Sequence, residues 1–138
     1  MPTLNWSDTL MLDFAPMDDM HREFVHMLAD VEACPDTELL SRWDALLKRT
    51  QALFGREDDW MKSTHFSSEA NHVLQHRVVL NVMREGLGLA RKGAHTQVRG
   101  MAAELARWFA KHIQSLDAAL ALHMRRHPAS TAPGQIPA

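Results

Sequence analysis

The pair His72-x-x-x-His76 has the spacing at which two imidazoles stand one above the other on one face of an α-helix, within reach of a single metal ion. Its neighbours Val73, Val79 and Leu80 put the pair beside an inward-facing stripe. A second feature is Glu57, one turn from Leu53 and Phe54 and close to Trp60. A carboxylate among such neighbours is costly to bury unless it is paired or holds a cation. A third is His112-x-x-x-x-Asp117, which follows Trp108-Phe109. On an ideal α-helix an i, i+5 spacing turns two side chains about 140° apart, so both reach one centre only by leaning inward from opposite flanks. The fourth is His21, in Asp18-Asp19-Met20-His21-Arg22-Glu23-Phe24. Taken singly, each also fits a solvated face or a satisfied core residue. Together they place an imidazole or carboxylate on each of four helical segments, as a buried two-metal site in a bundle demands. Histidines with carboxylates and no thiolate favour iron, zinc or manganese over copper(I).

The segments that must position these groups follow from hydrophobic periodicity. Phe24, Val25, Leu28 and Val31 mark a helix over 18–33, and Cys34-Pro35-Asp36 ends it, with Asp36 available as N-cap of the next. Leu39, Trp43, Leu46, Leu47, Leu53, Phe54 and Met61 predict a helix over 37–62. The polar stretch 63–70 reads as a loop, with Ser67 or Ser68 to cap a third helix over 71–91. Gly86 and Gly88 weaken its last part, and Lys92-Gly93-Ala94 is a stop signal. Val98, Leu105, Phe109, Ile113 and Leu120 predict a fourth helix over 96–126. No segment alternates like a strand. The expectation is an all-α protein, an antiparallel up-down-up-down four-helix bundle occupying residues 1–127. Within it, residues 1–17 form an N-terminal arm whose Leu4, Trp6, Leu10, Leu12 and Phe14 pack over the bundle, and 128–138 form a disordered tail. His26, His95, His123 and His127 match no ligand spacing and are assigned to the surface, and the methionines to flexible core packing.

Composition narrows the function classes. A formal charge of −2 gives no basic field for nucleic acid. No apolar run approaches the roughly 20 residues that span a bilayer. The start of the chain lacks the charged and apolar regions of a signal peptide, and Cys34 is the one cysteine, so a reducing cytoplasmic setting is expected.

In these features the sequence resembles the bacterial hemerythrins, four-helix bundles holding a non-heme di-iron centre. Their pattern is a histidine on the first helix, His-x-x-x-Glu on the second, His-x-x-x-His on the third and His-x-x-x-x-Asp on the fourth. His21, Glu57, His72, His76, His112 and Asp117 fall on it in order, over roughly residues 4 to 125, and the Trp6 segment and Trp108-x-x-x-His112 also match. The resemblance implies two irons as cofactor. His72, His76 and His112 would hold one iron, His21 the other, and Glu57 and Asp117 would bridge them. It also implies dioxygen or a related small ligand as the bound molecule, a ligand-binding protein rather than an enzyme, and any protein partner on a separate chain.

One position departs from the pattern: the second helix reads Leu53-Phe54-Gly55-Arg56-Glu57, so leucine stands where the family has an imidazole. The iron left with one histidine is the one at which the family binds dioxygen. Three outcomes are consistent with that change. They are an open di-iron site, including one with peroxidase- or oxidase-like chemistry; a single iron or zinc on three histidines and a carboxylate; or a vestigial site with a structural or sensing role. Arg49, Thr50, Met17 and Asp18 offer no convincing replacement ligand, and Glu69 or His65 would need an unusual backbone to reach the centre.

Overall fold

The computed structural model describes residues 2–127; the tail expected at 128–138 lies outside them. After a short 3-10 turn at Asp8–Leu10 come α1 (Ala15–Ala33), α2 (Asp36–Ser63), α3 (Glu69–Arg91) and α4 (His95–His112). A π turn at Ile113–Asp117 carries α4 without a break into α5 (Ala118–Arg126), so the chain forms four helices with no strand among the described residues. α1 packs on α2 and α4, and α3 on α2 and α4, which closes a ring around one interior.

The helix ends differ from expectation in ways that have local causes. α1 starts three residues early because Pro16 suits the first helical turn. There the buried Asp18 carboxylate accepts the Leu12 N–H at 2.8 Å and the Phe14 N–H at 3.3 Å, tying the preceding segment to the helix. Asp36 is not the N-cap of α2 but its first residue. Its carboxylate instead takes the Arg99 guanidinium of α4 at 2.8 Å, a charged partner that outcompetes a backbone N–H. Ser68 stands at the N-cap of α3 without a side-chain bond. The stop after α3 is built as the sequence indicates: Gly93 has φ +78°, and the Ala94 N–H reaches back to Leu89 O at 3.0 Å.

Phe24, Leu28, Trp43, Leu46, Leu53, Phe54, Met83, Val98 and Phe109 belong to the main core, and Leu10 from the N-terminal segment is buried with them. Phe14, Met17, Trp60, Met61, Leu120 and Met124 make a second cluster. Gly86, which weakens α3 as a helix former, is required by packing. A Cβ there would lie 2.5 Å from Trp43 Cζ2, and the same indole donates its Nε1–H to Met83 O at 2.8 Å. Eight polar or charged residues are buried among the described residues. Asp18 and Thr50 have backbone partners; the other six are the residues singled out above.

Candidate metal centre

Each helix delivers its share of the six. α1 carries His21, α2 carries Glu57, and α3 carries His72 and His76 one turn apart. His112 and Asp117 do not lean in from opposite flanks, as their spacing on an ideal helix suggests. The π turn between them absorbs one extra residue, so Asp117 comes round to the face that i+4 would occupy. All six side chains are at most 2% exposed.

Their donor atoms fall into two groups. On one side one carboxylate oxygen from each of Glu57 and Asp117 and one nitrogen from each of His72, His76 and His112 form a set of five within 4.8 Å of one another. Within it, His76 Nε2 is 3.2 Å from Glu57 Oε1, His72 Nε2 is 3.0 Å and His112 Nε2 3.2 Å from Asp117 Oδ1, and the last two nitrogens are 3.2 Å apart. On the other side His21 Nε2 lies 3.0 Å from Glu57 Oε2 and 3.1 Å from Asp117 Oδ2. Each carboxylate therefore turns one oxygen to the five-donor side and one to a three-donor side. Leu53, one turn before Glu57 and 1% exposed, brings no donor to either.

The donor set fits a metal ion. Glu57 Oε1, both Asp117 oxygens and His76 Nε2 are buried without a well-directed hydrogen bond although polar atoms stand about them. A buried polar atom left so costs about 1–3 kcal/mol. Donors about 2.1 Å from a common octahedral ion and at right angles to each other lie about 3.0 Å apart, which matches these separations. The absence of a thiolate directs the set to iron, zinc or manganese.

Without a metal, protons hold the carboxylates in place. Burial alone would lower the His21 pKa, but the Asp117 charge, the approach of Asp117 and then Glu57 outweigh it and raise the imidazole to about 10. Burial also lowers His76, and the hydrogen bond to Asp58 followed by Glu57 overcomes it to give about 9. Burial would raise the Asp117 carboxyl; the charge on His21 and the closeness of His112, His21 and His72 instead hold it well below the usual carboxylate range.

Sequence reasoning singled out Trp108 by its spacing from His112 but missed the other groups that pack on the imidazoles. Asp58 Oδ1 is 2.7 Å from His76 Nδ1, Phe54 stacks on the His76 ring, and Trp108 stacks on His112 with centroids 4.4 Å apart. For Asp58 the one available signal was that it shares a helix face with Phe54. The remaining histidines stand apart. His26, His65 and His127 are exposed, His95 faces Asp36, and His123 bonds Thr64. His65 does have an unusual backbone, with φ +53°, yet neither it nor Glu69 joins the cluster.

No family model matches the chain. It is similar to the protein named Bacteriohemerythrin from Ralstonia nicotianae, with 32% identity over 117 residues that cover 85% of each chain. That relationship agrees with the all-helical fold and the buried histidine–carboxylate cluster, and the chain belongs to the bacteriohemerythrin family.

Proposed function

We propose that the protein is a hemerythrin-like non-heme iron protein that binds dioxygen or a related small ligand at an asymmetric centre. His72, His76, His112, Glu57 and Asp117 would hold one iron and His21 the other, with both carboxylates shared. The observation that carries the reading is the division of each carboxylate, one oxygen facing the five-donor side and one facing His21. Ferrous iron, when bound, supplies the electrons that dioxygen binding requires. The chain's own part is to fix the donors in a water-poor interior and to leave the His21 side short of one imidazole. A cleft of about 580 Å³ between α1 and α2 is lined by Met20, Leu53 and Arg56 among others, and its Leu53 is the second-helix position that lacks an imidazole.

In this reading residues 1–127 are one antiparallel up-down-up-down bundle, with 1–17 as an arm over it. Its location is the cytoplasm, where Cys34 stays reduced. A second reading has support from the same geometry: the five-donor group is complete without His21, so a single metal could be the working state. The test is to load the protein with ferrous iron in the absence of air, then record the visible spectrum as air is admitted and removed. A new absorption band that appears with air and reverses supports dioxygen binding; irreversible conversion to a ferric spectrum without a reversible band contradicts it.

A further inference from the structure

α2 presents two i, i+4 pairs in adjacent registers, Leu53 with Glu57 and Phe54 with Asp58. The second pair grips one imidazole of α3. The Phe54 ring lies on His76 with centroids 3.9 Å apart and planes 6° from parallel. Asp58 Oδ1 accepts from His76 Nδ1 at 2.7 Å. No other imidazole of the cluster is held this way: the Nδ1 atoms of His21, His72 and His112 are buried with no hydrogen-bond partner. An imidazole that gives its Nδ1–H to a carboxylate and has given up its second proton, as metal uptake requires of His76, carries the lone pair on Nε2. In His76 that Nε2 is the atom facing Glu57 Oε1, 3.2 Å away.

We infer that Asp58, backed by Phe54, is a positioning residue that fixes the tautomer and ring plane of His76, and so makes the five-donor side the one that takes the first metal ion. The inference rests on the metal-binding reading above. His21 has no such clamp. It meets Phe109 edge-on, leaving its ring plane free of a stacking partner. α2 therefore governs metal order twice: Leu53 withholds a donor from one side, and its neighbours in the next register lock a donor on the other. Asp58 is 34% exposed, so replacing it leaves the core packing in place.

The test uses the full chain, one equivalent of zinc as a diamagnetic probe, competition with a chromophoric chelator, and ring ¹⁵N NMR of the histidines in wild type, Asp58→Asn and Asp58→Ala. The wild type takes one zinc and shows His76 as a single tautomer with a hydrogen-bonded Nδ1 proton. Asp58→Ala weakens the first equivalent roughly 10–100-fold and loses that proton signal. Asp58→Asn keeps an acceptor oxygen and recovers part of the affinity. A merely structural role would lower the melting temperature without moving the ring nitrogens or the affinity. Asp58→Ala with wild-type zinc affinity and an unchanged His76 tautomer overturns the inference alone. A wild-type chain that takes up no zinc overturns the reading beneath it as well.

Discussion

His112 and Asp117 stand five residues apart on one helix, yet His112 Nε2 lies 3.2 Å from Asp117 Oδ1, because the helix opens into a π turn between them. That turn lets one carboxylate serve both halves of the centre: its Oδ1 faces the three-histidine side and its Oδ2 faces His21. Removing the charge at this point therefore has a wider effect than removing any one imidazole. Asp117→Asn is expected to weaken metal uptake on both sides. His21→Ala affects only the three-donor side, and His72→Ala only the five-donor side. His72→Ala should cost more than the roughly 10–100-fold that losing a supporting partner costs. Zinc titrations of the three variants, read as stoichiometry and affinity, check the pattern.

Metal uptake must displace protons, because His21 and His76 have pKa values raised to about 10 and about 9 in the metal-free protein. Near neutral pH, filling the five-donor side is expected to release about one proton, from His76, and filling the other side about one more, from His21. Affinity for the first ion accordingly rises with pH until about 9. Calorimetry in two buffers of different ionisation enthalpy counts the protons. A first equivalent that binds with no proton release would contradict the assignment.

The same groups set the pH range over which the metal-free chain is stable. The folded pKa of His21 lies above the free value of 6.5, so its contribution is complete below 6.5 and is lost as pH rises through about 10. Asp117 has the opposite sign. Its folded pKa lies below 3.8, so its contribution is present above that value and is lost as pH falls through the folded pKa. Thermal melts of the metal-free protein should show stability falling on the alkaline limb between these two His21 values. Metal loading should flatten that limb, since a cation then replaces the proton.

The periodicity of apolar residues made the four helices legible. The spacing of His72 and His76, with the resemblance, made most of the centre legible too. The π turn was not, because an i, i+5 pair on a regular helix points about 140° apart and only the demand of a shared centre reveals the extra residue. Asp58 was hidden for a different reason. A carboxylate beside Glu57 on an amphipathic helix has the same sequence appearance as any solvated charge, and its role depends on where α3 places His76. Asp36 was misassigned because an N-cap signal is local, whereas Arg99 arrives from another helix.

Packing away from the centre gives an independent check on the fold. Gly86→Ala would improve helix propensity by close to 1 kcal/mol at an open position. Here the new Cβ would meet Trp43 Cζ2 at 2.5 Å in a buried contact. Overpacking is expected to win and destabilise the protein by about 1–3 kcal/mol in urea unfolding, with zinc affinity unchanged.

If Leu53 makes the two halves of the centre unequal, a count of tightly held iron reveals it. Wild type and Leu53→His are loaded with ferrous iron without air, challenged with a chelator, desalted and analysed for metal per chain. The expected result is one chelator-resistant iron in the wild type and two in Leu53→His. Two resistant irons in the wild type would show that the halves are equal and Leu53 costs no metal.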